Sequence, residues 1–236
     1  MRIAIFSDVH GNRFALEAVL RDIETFRPDA IANLGDQVWG GADPAGAWKL
    51  QQEVGATTVR GNTDEFIIWP EKHEGAKAYA EWLRSLLPNN VGQQLEALPI
   101  NAELAEGQVL VAHGSITSPW DALMVKYEGQ PREVTPDEML EQVAGFPRAK
   151  VVVVGHTHDQ KLRSKNGITF VNAGPVSRQF DGDPTARWVL LEKRQHWSIS
   201  FQRVSYDTGA AASWALSHAP NGEQEALMLR TAQRPR

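Results

Sequence analysis

Apolar residues gather in short runs along the first two thirds of the chain, at positions 2–6, 30–34, 56–59, 109–112 and 151–154. Each run is brief, rich in aliphatic or β-branched side chains, and bounded by glycine or polar residues, which predicts buried strands. Amphipathic stretches separate them. Leu16, Val19, Leu20 and Ile23 recur at helical spacing within 14–26. Asp43 as N-cap, Pro44 at the first helical position and Gly55 beyond the end outline a second helix. Thr135 and Glu138 form a capping box ahead of a third, with Gly145 as its stop. A fourth is expected over 74–87. This alternation is the pattern of βαβ units and a parallel sheet. Further on, 168–172, 188–192 and 197–202 read as strands. In the last of these, Trp197, Ile199 and Phe201 alternate with Ser198, Ser200 and Gln202. That alternation predicts an antiparallel second sheet with one wet face. The expected organisation is one domain over 1–208, with a surface excursion at 115–150 near the site. Residues 209–236 follow as an extension of one or two short helices and a frayed RPR end, without a chemical motif.

Composition narrows the classes. At 236 residues, 42% hydrophobic and 22% charged, the chain can bury a full core in one large α/β domain. No apolar run approaches the roughly 18 residues of a membrane span, and the first residues read as a strand rather than a basic leader. With no cysteine, disulfides and thiolate metal sites are excluded, and a cytoplasmic location is expected. A net charge of −5 without a Lys/Arg block argues against long nucleic acids and leaves room for a nucleotide-sized ligand.

The candidate chemistry lies immediately beyond each front-half run. RIAIF is followed by SDVHGN, AIANL by GDQVWGG, TTV by RGNTD, VLVA by HGS, and VVVV by GHTHD. Every tail carries a glycine and at least one Asp, His or Asn. Ligands of α/β sheets bind beyond the carboxyl ends of the strands, so five such tails can meet in one crevice. Asp8 and His10, like His156 and His158, sit two residues apart and project to one side if the backbone is extended. Asp36, Asn62 and His113 add one group each. Singly, most of these are ordinary turn residues; their ordered recurrence on strand ends is what points to a site. Four imidazoles, two carboxylates and a carboxamide exceed one ion's needs and suit two ions sharing a carboxylate. The mixture favours Mn, Fe, Zn, Ni or Co over Ca or Mg.

The series D-x-H, G-D, G-N, H-G, G-H-x-H resembles the calcineurin-like metallophosphoesterase superfamily over 1–172, and its compact bacterial YfcE-like phosphodiesterases in particular. The resemblance implies a four-layered α/β/β/α sandwich of two packed mixed sheets with flanking helices. It also implies two divalent transition-metal ions, manganese first among them. Asp8, His10, Asp36 and His158 would hold one metal; Asp36 would bridge to a second, held also by Asn62, His113 and His156. The implied activity is hydrolysis of a small nucleotide-like or aryl phosphodiester by a hydroxide shared between the metals. A phosphomonoesterase with the same site and a non-catalytic scaffold for protein assembly are the alternatives. Asn62, Arg60 and Asp64 are the expected catalytic groups, and Arg60, Asn12 and Thr63 the expected substrate contacts. Two departures stand out. Thr63 occupies the place of the protein phosphatases' proton-donating histidine, and Gln37-Val38-Trp39 replaces their D-R-G continuation. Trp39 and Trp120 follow motif segments and could wall a pocket, although packing is the plainer reading. His73, His196 and His218 lie outside the motifs and read as structural or exposed.

Overall fold

The computed structural model describes residues 1–234. The chain runs β1 (Arg2–Phe6), α1 (Arg13–Phe26), β2 (Ala30–Asn33), α2 (Pro44–Glu53), β3 (Thr57–Thr58), α3 (Asn62–Ile68), α4 (Lys77–Leu86) and α5 (Val91–Glu96). Next come β4 (Asn101–Leu104), β5 (Val109–Ala112), β6 (Val125–Glu128), β7 (Gln130–Glu133), α6 (Pro136–Gln142) and β8 (Val151–Val154). β9 (Lys161–Lys165), β10 (Ile168–Asn172), β11 (Ala186–Lys193), β12 (Trp197–Val204), α7 (Thr208–His218) and α8 (Gly222–Thr231) complete it.

Two mixed five-stranded sheets result, ordered β12-β11-β1-β2-β3 and β4-β5-β8-β10-β9. Alternation along each strand decides how they pack. Ile3 and Ile5 of β1, Val109 and Val111 of β5, and Val151 and Val153 of β8 share one buried cluster between the sheets. The intervening Ala4 and Phe6 point the other way, beneath Leu16, Val19 and Ile23 of α1. Val152 and Val154 likewise turn outward, onto Met139 of α6. A strand covered on both faces needs apolar side chains at every position, which is why β8 is four valines in a row. The layers are therefore helix, sheet, sheet, helix.

The structure corrects the expected grouping of the later strands. β11 and β12 form no second sheet; β11 pairs antiparallel with β1, so this hairpin extends the first sheet. β10 instead lies parallel to β8. A period-2 pattern reveals a half-buried strand but not its neighbour, and the register Ile3↔Leu191 rests on contacts between residues far apart in sequence. Six elements carry no readable signal in the sequence: α3, α5, β4, β9 and the two strands of the β6–β7 hairpin within the excursion. All are short, between four and seven residues, below the length at which periodicity separates from chance. The capping box at Thr135 and Glu138 forms as the spacing implies. The C-terminal helices pack on each other and, through Ala211, Ala215, Ala226 and Leu229, against Ala42 and Phe14. Of the RPR end, Arg234 lies over the Phe180 ring, while Pro235 and Arg236 fall outside the described residues.

Candidate metal centre

Beyond its last strand residue, each tail remains bound to its neighbour. Asp8, His10 and Gly11 donate main-chain N–H groups to the carbonyls of Gly35, Asp36 and Gln37, at 3.0, 2.9 and 3.0 Å. Gly155 donates to His113 in the same manner across the second sheet. The two sheets meet where Gly155 passes the β1 tail: a Cβ there would collide with Ser7 Oγ and Asp8 Oδ2. His156 N–H crosses this junction to Asp8 Oδ2 at 3.2 Å.

The backbone is not extended here, contrary to the expectation for the paired residues. Asp8, His10, Asp36, His156 and His158 all have positive φ, between 47° and 70°. Left-handed backbone is uncommon for residues with a Cβ and collects at functional sites. Each residue turns the chain sharply, and the side chains of both sheets' tails face one another.

The resulting cluster is tight. Nε2 of His10 lies 3.2 Å from Nε2 of His158, which is 3.2 Å from Asp8 Oδ1. Asn62 Oδ1 is 2.9 Å from both His113 Nε2 and His156 Nδ1. Asp36 lies between the two groups, with Oδ2 3.6 Å from His10 Nε2 and Oδ1 3.4 Å from His113 Nε2. Asp8, His10 and His158 form one set able to hold a metal ion, and Asp8, Asp36 and His113 another. Asp8, His10, Asp36, Asn62 and His113 are buried; His156 and His158 are half-buried and mark the open side. The structure thus brings all seven expected ligands together.

Proton accounting shows that the residues fit a cation. Nδ1 of His10, His113 and His158 faces the main-chain carbonyls of Trp39, Leu34 and Arg178, at 3.1, 2.8 and 2.6 Å. A carbonyl only accepts, so Nδ1 carries a proton, and a ring in its neutral form presents a bare Nε2. Those lone pairs point at one another, at Asn62 Oδ1 and at Asp8 Oδ1, a fully buried oxygen without a hydrogen-bond partner. Acceptors facing acceptors in a buried site repel unless a positive charge lies among them. The titration behaviour agrees for His10 and His113 and runs the other way for His158. Burial would raise the Asp8 carboxyl, but His158, His113 and His10 hold it below the carboxylate range. Burial, with the Asp8 charge beside it, pushes Asp36 up to about 7. Burial depresses His10 and His113; for His158 the Asp8 carboxylate outweighs burial and raises it.

Other expected site residues sit elsewhere. Asp64 is fully buried, and its carboxylate accepts the main-chain N–H groups of Asp36, Gln37 and Gly61 at 3.2, 2.9 and 2.8 Å. It ties the Asp36 loop to the Asn62 loop and presents no oxygen to a substrate. Asn12 caps α1 through Ala15 N–H and donates to Ser177 Oγ, so it is no substrate contact either. The Arg60 guanidinium donates to the Glu96 carbonyl and lies 3.5 Å from Glu65 Oε1, while its Nε has no hydrogen-bond partner. Thr63 donates its main-chain N–H to Asp36 Oδ1 at 2.8 Å, beside the site. Trp39 and Trp120 belong to one aromatic chain: Trp39, Phe66, His73 and Trp120 adjoin in that order, with ring centroids 4.7, 4.7 and 5.2 Å apart. His73 is packed there, whereas His196 and His218 are exposed. Two further residues support the site. Asn172 donates to the Gly155 carbonyl and to Thr157 Oγ1, and the Arg178 carbonyl receives His158. ITFV followed by NAGP repeats the strand-end habit of the five other tails, a signal that was available for Asn172.

Residues 1–195 match the calcineurin-like phosphoesterase superfamily domain. The chain belongs to that superfamily. Among similar proteins, the uncharacterized protein MJ0912 of Methanocaldococcus jannaschii is 26% identical over 228 residues, covering 87% of this chain and 88% of its own. A metallophosphoesterase from Sphaerobacter thermophilus superposes with a TM-score of 0.74 at 28% identity, covering 98% of this chain and 100% of its own. The phosphoesterase YfcE of E. coli superposes with a TM-score of 0.50 at 21% identity, over 87% of this chain and all of its own, a likeness of fold. As a member of the calcineurin-like superfamily, the chain is of a hydrolase family and carries Asp/His groups able to bind metal. Among the described residues, no helix is long and apolar enough to cross a membrane.

Proposed function

We propose that this protein is a metal-dependent phosphodiesterase acting on small nucleotide-like or aryl phosphodiesters in the cytoplasm. One observation carries the reading: bare imidazole nitrogens and acceptor oxygens from both sheets converge on two adjoining points, with Asp36 offering one oxygen toward each. Asp8, His10, Asp36 and His158 would hold one divalent ion; Asp36, Asn62, His113 and His156 would hold the other. Imidazole-rich sets favour manganese, iron, zinc, nickel or cobalt over magnesium. When bound, such a pair supplies Lewis-acid activation of the phosphoryl group and a water nucleophile at neutral pH. The chain's residues do the rest. Carbonyls of Trp39, Leu34 and Arg178 fix three imidazoles in the ligating tautomer. Asp64 holds the Asp36 and Asn62 loops at fixed separation. A small ester would approach from the half-buried side near His156 and His158, and the acidic overall charge disfavours a long polyanion.

The test pairs metal analysis of the purified chain with hydrolysis of an aryl phosphodiester, alongside a panel of monoesters. Chelation should abolish turnover, and Mn, Ni or Co should restore it better than Mg. Undiminished activity after prolonged incubation in excess chelator would overturn the proposal, and a monoester preference would assign the same site to a phosphomonoesterase.

A further inference from the structure

We propose that Arg178, held by Glu225 of the C-terminal helix α8, binds a phosphoryl oxygen of the substrate at the edge of the metal centre. The proposal rests on the phosphodiesterase reading and adds a residue pair outside the seven-ligand series.

Glu225 is 3% exposed, on a helix that otherwise buries ordinary apolar side chains. A carboxylate so deeply placed must be paired, and an apolar pair of similar size would anchor the helix as well or better. Its Oε1 accepts Arg178 Nη2 at 2.6 Å and Asn221 Nδ2 at 3.3 Å. Among the described residues, Nη2 is the one guanidinium nitrogen of Arg178 with a protein acceptor. Nε is buried without a hydrogen-bond partner, and the side chain retains 18% exposure. Arg60 and Arg187 also leave Nε without a partner; Arg178 differs in that its own carbonyl orients His158. An arginine that leaves part of its planar fork open, beside a site for esters, has the geometry that phosphate oxygens fill.

The pair lies between the loops that orient two expected ligands. The Arg178 carbonyl accepts His158 Nδ1, and the preceding Ser177 N–H is bound to the Asp8 carbonyl at 3.0 Å. Glu225 presses on the other loop: a Cβ at Gly41 would meet the Glu225 side chain at 2.9 Å. Gly41 comes two residues after Trp39, whose carbonyl orients His10. Phe180, two residues after Arg178, stacks on His158 with centroids 5.1 Å apart. Arg178 thereby borders His158, on the half-buried side of the cluster. Its anionic partner arrives from the extension that carries no chemical motif, and the role assigned to Glu225 is to position Arg178.

The experiment uses the full chain and two probes, inorganic phosphate by calorimetry and a bis-aryl phosphodiester by turnover, in Mn and again in chelator. Hydrogen bonds to charged groups are strong enough that Arg178→Ala should raise the phosphate Kd and the diester KM about 10- to 100-fold. Manganese content should be unchanged and kcat should fall less than KM rises. Ala retains a Cβ at φ +62°, so the substitution does not relieve backbone strain. Should Arg178→Ala fail to fold, Arg178→Gln carries the same test. Glu225→Ala should weaken phosphate binding by a smaller factor, and the double variant should bind no worse than Arg178→Ala alone. Effects of Arg178→Ala below twofold on both probes, or additive effects in the double variant, overturn the inference. If the wild type neither takes up Mn nor hydrolyses the diester, the phosphodiesterase reading falls. The chelator arm then decides the anion site: phosphate binding that Arg178→Ala abolishes sustains it. Binding equal in both chains, or absent from the wild type, overturns it.

Discussion

Asp64→Asn tests whether the carboxylate tying the two ligand loops is structural. One oxygen accepts the N–H groups of Asp36 and Gly61, the other that of Gln37, and the side chain is fully buried. Asparagine has a single acceptor oxygen. In its better orientation it keeps two of the three bonds and turns an NH2 toward the third donor inside a fully buried site. An orphaned buried donor costs about 1–3 kcal/mol, and bonds to a carboxylate exceed those to an amide. Against this, burial and the neighbouring Asp36 carboxylate push Asp64 up to about 6, so removing the charge relieves some repulsion. The net expectation is about 2 kcal/mol, or a fall in Tm of roughly 4–8 °C for a chain this size. Thermal unfolding should be followed by circular dichroism in chelator, so that bound metal contributes nothing. Asp159→Asn, at an exposed position, is the control and should remain within about 0.5 kcal/mol of wild type. Because Asp64 also fixes the spacing of Asp36 and Asn62, the variant should lose metal affinity even where it is folded. A Tm within about 2 °C of wild type, with metal content intact, would show that the three N–H groups are satisfied without Asp64.

Other outcomes rest on the same geometry. Asp36→Ala should strip both ions, because its oxygens face both groups, whereas His113→Ala should mainly deplete one; metal-to-protein ratios after gel filtration read the difference. Manganese affinity should fall as pH drops below about 7, since the proton held by Asp36 up to about 7 must leave before that carboxylate can ligate. It should level off above that pH, and titrations at fixed ionic strength show it. With Thr63 where the protein phosphatases carry a histidine, the expectation is that no side chain protonates the leaving oxygen, help typically worth about 10²–10⁴-fold. Diesters of graded leaving-group pKa should therefore give a steep slope, and a shallow one with chemistry rate-limiting would mean that another group donates the proton.

The site was more legible in the sequence than the sheet order. Each ligand-bearing tail comes directly after a strand that apolar periodicity identifies, so Asp8, Asp36, His113 and His156 could be placed at strand ends without knowing which strands pair. Strand order depends on long-range contacts such as Leu191 against Ile3, which leave no local trace, and the β11–β12 hairpin therefore joins a sheet that its own pattern does not disclose. Asn12 and Asp64 mislead for a related reason. Their position beside a motif is visible in the chain, but the backbone N–H groups that occupy them appear only once the loops are folded. Glu225 had no signal at all, since one glutamate in the first turn of a short helix is indistinguishable from a solvated one until its burial is known.

The left-handed backbone of the five candidate ligands explains how so short a set of tails can gather at one point. Each such residue costs of order 1–3 kcal/mol, and glycine would remove the strain but bring no ligand atom. The opposing stabilisation is in the same loops. Asp8, His10 and Gly11 continue hydrogen bonding to Gly35, Asp36 and Gln37 past the end of the ladder, and Asp64 gathers three more N–H groups from the neighbouring turns. Beneath them the sheets contribute β1, β5 and β8 with every side chain buried but Arg2. A rigid double sheet can hold strained ends, and the strain is what points His10 at His158 and Asp36 at both groups. The imidazoles are thus set before any ion arrives, by carbonyls of Leu34, Trp39 and Arg178 that no substitution of a ligand side chain would remove.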